Sequence, residues 1–576
     1  QNTLSLHDAL PIYQDENVTN KKIINYDWDN NEVREKRTPN SAERRYQKTL
    51  SKNFTLYADY KKNFNDRHDL SVMVGTSHES ENYDRFTAKR INFDQQENMS
   101  LQLGSAQDQN AWSEGNQWTI NSFFSRVNYT FANKYVIEGT IRADGSSRFD
   151  PDHRWGWFPG VNAAWRVGEE GFMKRLGWFE DLKVRASYGE MGNQSGIGLY
   201  DYIQLISLSN DYYPFGTGVK GQMATSGNII STSRTWETIQ TTNVGFDFST
   251  LNNRLYGSFD YFWKENKNML IPKTYPSMLG ADAPSTNSGH LSIHGWEISL
   301  GWRDQIKDFS YSVRFNISDA KNKVVDRVGS NLIQLGNNET PTGYPLNSYF
   351  GYEFDGIIQN EQELEAYKSR FSEGGIPGDL SVGDAMYKDL DGDGKLSVLG
   401  DGKEGSGDVK YLGDKNPRYN FGFNLSMAWK GFDLSAFIQG VGRRTMFLEG
   451  ESRCPMPEAW YQSAEYWYGK TWTPERTDAQ YPAITLKDKR NYNYYVSTNT
   501  KFNVAYARLK NLQFGYTIPQ TLTSKAGLQK VRVYFSGEDL FEVHNTPNGW
   551  DPEENSGSIT SYPFTRNYSF GINVVF

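Results

Sequence analysis

Residues 566–576 read RNYSFGINVVF, and this stretch carries the pattern that decides the fold. Apolar side chains occupy every second position, and polar or small side chains occupy the positions between them. The apolar set is Tyr568, Phe570, Ile572, Val574 and Phe576, and the other set is Asn567, Ser569, Gly571 and Asn573, with Val575 out of pattern. Successive side chains of a strand point to opposite faces, so the stretch predicts a strand with one apolar and one polar face. Such a strand suits the wall of an outer-membrane barrel, which has lipid on one side and a polar lumen on the other.

The same alternation recurs along the chain. Residues 419–429 alternate in this way, the pair Lys430-Gly431 predicts a tight turn, and residues 432–439 alternate again. Further hairpins are predicted near 53–80, 120–145, 158–190, 240–265, 296–318 and 502–540. We count about 14–16 strands of about ten residues, each long enough to cross an outer-membrane apolar band when tilted. The predicted fold class is all-β: a large, partial, antiparallel transmembrane β-barrel with long loops on one rim.

Composition restricts the function classes. The chain has 576 residues, 37% hydrophobic and 15% aromatic, with a net charge of -8. It has no run of about 18 apolar residues, so no transmembrane helix is predicted. The abundant aromatic residues suit the girdles of a barrel, and the acidic balance argues against a nucleic-acid partner. Cys454 is the only cysteine, which excludes an intrachain disulfide and disfavours a Cys/His metal site.

Other interpretations of the same pattern stay open. The polar faces carry Arg, Asn, Asp and Gln, which a dry sandwich core would not accept without partners. They could instead meet bulk solvent in a soluble extracellular β-rich glycan-binding protein or hydrolase. A passive porin or a siderophore receptor is a third interpretation. The sequence lacks a Gly-x-Ser-x-Gly elbow, a His-Glu-x-x-His motif and a phosphate-binding loop, so no enzyme activity is predicted.

The longest connections, 191–238, 321–415 and 442–500, contain the candidate sites. A short helix is predicted at 361–371. Asp389, Asp391 and Asp393, followed by Lys395 and Ser397, occupy the ligand positions of the first half of an EF-hand calcium loop. The second half departs from that pattern, because position 12 is Gly400 rather than Glu. Two interpretations stay open: a structural Ca²⁺ site that stiffens a long loop, and an Asp/Gly-rich turn without metal.

An aromatic cluster follows in the last of these connections. Flat rings in a loop can stack on sugar rings or hold peptide side chains, although they also form loop cores and interface girdles. The candidate ligand contacts are Trp460, Tyr461, Tyr466, Trp467, Tyr468 and Trp472.

The first residues do not read as a targeting segment. Residues 1–12 lack a basic n-region and an initiator Met, and 3–12 resemble translated sequencing adapter. We therefore interpret 1–12 as a non-native segment and 13–576 as the C-terminal part of a longer barrel protein.

Several stretches together resemble one family, the SusC/RagA-type TonB-dependent transporters. They are ADGSSRFDPDHRWGWFPGVNAAWR at 143–166 with LKVRASYGEMGNQ at 182–194, YKDLDGDGK at 387–395, NPRYNFG and KGFDLS within 413–437, RLKNLQFGYTIP at 508–519, and VRVYFSGEDL at 531–540. The resemblance spans nearly the whole chain after about residue 40.

The resemblance implies a 22-stranded barrel in the outer membrane of a Gram-negative bacterium, with an N-terminal plug and a SusD-like lipoprotein lid. It implies import of oligosaccharides or peptides, driven by the TonB complex acting on the plug. Phe576 would be the signal read by the barrel-assembly machinery. The plug, the TonB box and the first strands are not found in this sequence, so we expect about two-thirds of a wall. Open sheet edges are not viable in the lipid bilayer, and we expect such a piece to aggregate rather than insert.

Overall fold

The computed structural model is built mainly of β-strands. It describes residues 2–7, 12–20, 23–27, 32–36, 39–107, 109–209, 214–215, 219–220, 223–227, 229–272, 278, 285–327, 341–399, 407–457, 463–485, 488–554, 557, 562 and 564–576. Among the described residues, no helix combines the length and the apolar character needed to cross a membrane.

The strands follow one another with few helices between them. They are β1 (Asn2–His7), β2 (Ile12–Asn20), β3 (Ile23–Asp27), β4 (Glu32–Lys36), β5 (Ser41–Phe64), β6 (His68–Ile91), β7 (Gln109–Phe131), β8 (Tyr135–Ser146), β9 (Trp155–Arg166), β10 (Asp181–Asn193), β11 (Ile206–Ser209), β12 (Pro214–Phe215), β13 (Val219–Lys220), β14 (Met223–Ser226), β15 (Glu237–Thr250), β16 (Leu255–Pro272), β17 (Ser285–Ile306), β18 (Phe309–Asp326), β19 (Ser348–Tyr352), β20 (Phe354–Ile357), β21 (Ala385–Tyr387), β22 (Val409–Asp414), β23 (Arg418–Trp429), β24 (Phe432–Arg443), β25 (Thr445–Met446), β26 (Phe502–Asn503), β27 (Tyr506–Thr517), β28 (Lys530–His544) and β29 (Asn567–Val575). The described α-helices are α1 (Gly171–Leu176), α2 (Glu361–Arg370), α3 (Asp488–Asn493) and α4 (Gln520–Thr523).

The chain divides into two compact units. One unit comprises residues 1–162, 189–239 and 270–287, and the other comprises 163–188, 240–269 and 288–576. In the first unit, β1 and β2 pair antiparallel with β5, which continues through β6 and β7 to β8. In the second unit, neighbouring strands of the series β17, β18, β23, β24, β27, β28 and β29 pair antiparallel.

Two adjacent rows of side chains define the faces of the sheet in the second unit. Each row crosses the same six strands, from β18 to β29, through directly paired positions. The apolar row is Tyr311, Met427, Leu434, Phe514, Phe535 and Phe570; the neighbouring polar row is Ser312, Ser426, Ser435, Gln513, Ser536 and Ser569. The predicted two-faced strands are therefore confirmed, and their register keeps the two faces unmixed over six strands.

Large apolar side chains are exposed on the apolar face in each of the two units, although serines of the polar face, such as Ser426, are exposed as well. Phe514 is 48% exposed and Phe570 is 84% exposed, and Val74 and Phe123 in the other unit are 53% and 58% exposed. A protein surrounded by water seldom leaves large apolar patches uncovered, because burying apolar area is the main source of folding free energy. This belt therefore fits contact with hydrocarbon.

The predicted tight hairpin is confirmed in detail. Trp429 pairs with Phe432 across the two-residue turn Lys430-Gly431. Both turn residues have positive φ, 45° and 89°, which is the geometry that lets a two-residue turn follow the twist of its strands.

Two features of the first strands differ from the sequence-based expectations: their length, and the pairing of residues 2–7. The strands β5 and β6 have 24 residues each, rather than the expected ten, so the estimate of strand length was wrong for them. Pairing continues beyond the alternating segment because antiparallel hydrogen bonding does not require an apolar face. Residues 2–7, within the segment 1–12 that the sequence indicates to be non-native, form a strand paired with β5, as do residues 12–20; the non-native origin of 1–12 stays a prediction.

The buried core of the second unit lies in its long connections. One cluster joins β19–β21 and α2 to Tyr492, and another surrounds Trp467 and Tyr481. We call residues 344–399, 407–415, 444–457, 463–485, 488–504 and 545–554 the loop module. Its side chains pack as in an ordinary globular core, whereas the strands display their apolar side chains outward.

Candidate substrate channel and loop sites

Ion pairs link nearby strands on their polar faces, and some of them span an intervening strand. Arg185 of β10 donates to both carboxylate oxygens of Asp260 on β16 and to Asp247 on β15 at 3.2 Å. In the same unit, Arg532 Nε of β28 donates to the carboxylate of Asp433 on β24 at 2.9 Å. Bidentate guanidinium–carboxylate contacts are directional, so they hold the polar face in register while leaving it wettable.

The helix predicted at 361–371 is α2, which ends one residue earlier. Asn360 Oδ1 accepts from the Glu363 amide at 2.9 Å, and the Glu363 carboxylate accepts from the Gln359 amide at 2.9 Å. This arrangement is similar to a capping box, with the Glu363 carboxylate bonded to the amide that precedes the N-cap Asn360 rather than to that of the N-cap itself. The helix buries Leu364 and Tyr367 against the loop module.

The Asp-rich segment folds into a tight loop around its own amides. Asp389 accepts from the amides of Gly392 and Gly394 at 2.7 and 3.0 Å. The Asp393 carboxylate accepts from the Lys395 amide at 2.8 Å. Both glycines have φ near 75°, a conformation that glycine adopts without strain, as the sequence pattern requires.

The structure adds a carboxylate that sequence reasoning missed. Asp389, Asp391 and Asp408 each offer an oxygen within 4.8 Å of the others, while Asp393 lies outside this group. Asp408 is fully buried, and its two oxygens accept from the amides of Leu390 and Ser397 at 2.6 and 2.8 Å. Burial raises the pKa of Asp408, and the neighbouring carboxylates raise that pKa further, against the effect of the two amides. Gly400 and the residues to 406 lie outside the described residues.

This geometry fits a hard divalent cation. Three carboxylates that converge in a partly buried site repel one another, and a Ca²⁺ ion takes six to eight oxygen ligands of this kind. Asp408 could not be found from the motif, because it lies 19 positions after Asp389 and outside the 12-residue loop pattern.

The aromatic candidates separate by burial. Trp460 and Tyr461 lie outside the described residues. Tyr466 and Trp467 are 8% and 3% exposed within a loop core, which is the arrangement that the loop-core alternative requires. Tyr468 is 90% exposed, and the Trp472 indole donates to Gln359 Oε1 at 3.1 Å while it remains half-buried.

A polar network anchors β21, which precedes the Asp-rich segment, to the rest of the loop module. Asn493 accepts from the Ala385 amide at 3.0 Å and donates to Asp384 at 2.9 Å, and all three residues are buried. The Tyr367 hydroxyl lies 2.7 Å from that of Tyr492. Because these contacts are enclosed, they fix one arrangement of the loops.

Phe576 ends the chain next to β29 and is 82% exposed. This placement leaves its ring accessible, and its role as an assembly signal stays a prediction.

Comparisons with known proteins agree on one family. A family model described as TonB dependent receptor-like, beta-barrel matches residues 5–540. The chain is 32% identical over 558 residues to TonB-dependent receptor P3 of Formosa agariphila, covering 92% of this chain and 52% of that protein. It is 26% identical over 560 residues to TonB-dependent receptor SusC of Bacteroides thetaiotaomicron, covering 91% of this chain and 50% of that protein. The chain therefore spans about half the length of the curated relatives it matches.

Solved structures support the same fold. The structure of the RagAB peptide transporter matches with a TM-score of 0.76 at 23% identity, covering 93% of this chain and 56% of that chain. The "open-open" state of the RagAB peptide importer matches with a TM-score of 0.77. The predicted fold class, a partial β-barrel of this type, is confirmed.

Proposed function

Because the chain belongs to the TonB-dependent receptor β-barrel family, we propose that the complete protein actively imports oligosaccharides or peptides into a Gram-negative cell. The family consists of outer-membrane transporters, so this chain is a part of an outer-membrane protein. Family membership also argues against the soluble glycan-binding or hydrolase alternative and fits the prediction of no enzyme activity.

The observation that carries the proposal is the pair of unmixed rows across β18–β29. An apolar row next to a serine-rich row is what a wall between hydrocarbon and water requires. The polar face, with ion pairs such as Arg532–Asp433, would line the path taken by the cargo. A hydrated, charged lining favours polar oligomers over apolar ligands.

Energy coupling and capture would involve partners. The TonB complex would act on a plug, which the resemblance places elsewhere in the complete protein. A SusD-like surface lipoprotein would cover the loops, as the likeness to SusC suggests. Among the described members of the predicted aromatic set, the exposed Tyr468 ring and the half-buried Trp472 are the ones that would be available for stacking on cargo or lid.

We test import in the complete transporter with labelled oligosaccharides and peptides. Uptake should require both the transporter gene and a functional TonB complex, and it should stop when the inner-membrane proton gradient is dissipated. Uptake that persists without TonB would support a passive porin instead. The matched control is the same strain with only the lipoprotein deleted, which should lose affinity for cargo rather than energy dependence.

The Asp-rich loop is proposed as a structural Ca²⁺ site held by Asp389, Asp391 and Asp408. The ion would neutralise mutually repelling carboxylates and stiffen the loop. Calcium should slow proteolysis of the segment around 387–410 in the purified transporter, and Asp408→Asn should remove that effect. Asp379→Asn is the control, since this residue lies outside the group of three. Equal proteolysis with Ca²⁺ and with chelator would contradict the proposal.

A further inference from the structure

A cavity of about 390 Å³ lies where the strand ends meet the loop module in the second unit. Its lining combines strand ends of β17, β18, β23 and β24 with the segment 343–345 and β22. A volume of this size lies within the range of small-molecule sites. Its ionisable lining residues are His294, Lys321, Lys323, Tyr411, Asp414, Arg418, Arg443 and Arg444.

Two of the cations are already engaged by the protein. Arg418 forms a bidentate pair with Asp319. Arg444 donates to the backbone carbonyls of Pro552 and Glu554 at 2.7 and 2.9 Å. These two side chains therefore act mainly as structural ties between strand ends and loop.

The single carboxylate of the lining is also engaged. Asp414 accepts from the Tyr411 hydroxyl at 2.7 Å and from the Asn416 amide at 3.0 Å. Because both donors are neutral, the Asp414 charge offsets only one of the positive charges around the cavity.

Three further cations, Lys321, Lys323 and Arg443, line the cavity, and Lys321 interacts electrostatically with Asp319, which Arg418 already holds. Among the described residues, the side chains of these three cations make no hydrogen bond and no ion pair at contact distance. All three side chains are exposed, so their long flexible stems can move toward a ligand. Burial lowers the pKa of Lys501, and the positive charge of Arg443 lowers that pKa further. This effect indicates an excess of positive charge around Arg443.

We propose that this cavity binds a carboxylate group carried by the imported oligomer. The proposal rests on the importer function and names the chemical class of cargo that the site selects. Three mobile cations around a concave site attract and orient an anion, and they discriminate against the uncharged analogue. Lys321 and Lys323, on one strand, and Arg443, on another, would hold the anion from two sides.

The test uses two matched pairs of probes on the complete transporter. Tetragalacturonate is compared with its methyl ester, and a tetraglutamate peptide is compared with tetraglutamine. Wild-type protein should bind the charged member of at least one pair more tightly, with an affinity that falls as NaCl rises, since exposed charges are screened. Which pair shows the preference identifies the source of the anion.

The triple variant Lys321→Gln, Lys323→Gln, Arg443→Gln should lose about tenfold or more in affinity for the preferred charged probe. Its affinity for the uncharged member of the pair should stay the same, which shows that the protein is folded. Asp414→Asn should act in the opposite direction and tighten binding of the charged probe by about threefold. The control variant Lys430→Gln, Lys525→Gln removes exposed cations that do not line the cavity and should change neither affinity.

Each outcome separates the subsite from the importer function. If wild-type protein shows no preference within either pair, or the triple variant keeps the preference, the subsite is overturned. TonB-dependent uptake of an uncharged probe would then leave the importer function standing. If charged-probe binding depends on the three cations but no probe enters through TonB, the subsite stands and the importer function is overturned.

Discussion

Asn493→Ala should loosen β21 from its neighbours in the loop module. Asn493 is 2% exposed and bridges two residues that are themselves buried, Ala385 and Asp384. Its side-chain oxygen accepts from the Ala385 amide at 3.0 Å, and its side-chain nitrogen donates to Asp384 at 2.9 Å. Alanine can make neither contact, so the variant leaves a buried amide without its partner and removes a charge-assisted bond to Asp384.

The expected magnitude follows from these two losses. A buried donor left unpaired costs about 1–3 kcal/mol, and a hydrogen bond to a charged group is worth about 1.5–3 kcal/mol. We therefore expect local stability to fall by about 3 kcal/mol, which corresponds to about a hundredfold faster amide exchange through local opening. Hydrogen exchange measured by mass spectrometry on the purified transporter should show this acceleration in peptides covering Ala385–Tyr387.

The matched control is Asn491→Ala, two positions earlier. Asn491 is exposed and accepts only from the Arg453 guanidinium at 2.5 Å, so its loss should change exchange little. Exchange at Ala385–Tyr387 that rises less than about fivefold in Asn493→Ala, or no more than in the control, would refute the reasoning.

Three further predictions concern the barrel wall. Ile572→Arg places a charge on the apolar face and should destabilise the assembled barrel by up to about 4 kcal/mol. The control Ser569→Arg, on the polar face, should not destabilise it. Heat-modifiable gel mobility compares the stability of the two variants. Gly431→Ala should cost about 1–3 kcal/mol, because φ is 89° and a Cβ would lie 2.7 Å from the Thr517 carbonyl oxygen. Lower melting of the assembled species checks this, and unchanged melting would contradict it. Deletion of Phe576 from the complete protein should reduce its outer-membrane abundance on immunoblots, and normal abundance would count against its role as an assembly signal.

The wall could be predicted from the sequence because its information is local. Alternation at 566–576 and 419–439 determines which side chains share a face, and the Lys430-Gly431 turn determines the register of one hairpin. The capping residues of α2 are equally local, since Asn360 and Glu363 lie within one turn. These patterns need no knowledge of distant residues.

The loop module could not be predicted in the same way, since its contacts join residues far apart in the chain. Asp408 completes the carboxylate group only after the chain returns from Ser397, and no spacing rule for calcium loops includes it. Tyr466 and Trp467 read as available rings in the sequence, yet they pack against Tyr481 and Tyr494. A run of aromatic residues specifies apolar area but not which rings become buried.

In the second unit, the strands and the loop module bury their apolar surface in different ways. This difference determines which substitutions would alter binding at the cavity without unfolding the protein. Strands such as β24 and β29 leave their aromatic residues outward, so their packing partner is lipid and their register is held by backbone pairing. The loop module buries its own tyrosines and tryptophans, so it has a core independent of the bilayer. Substitutions at the cavity between them, such as Lys323 and Arg443, alter exposed charges without removing either core or pairing. Under the proposed function, cargo preference would therefore change with surface charge at small cost in stability, as expected for residues away from buried networks.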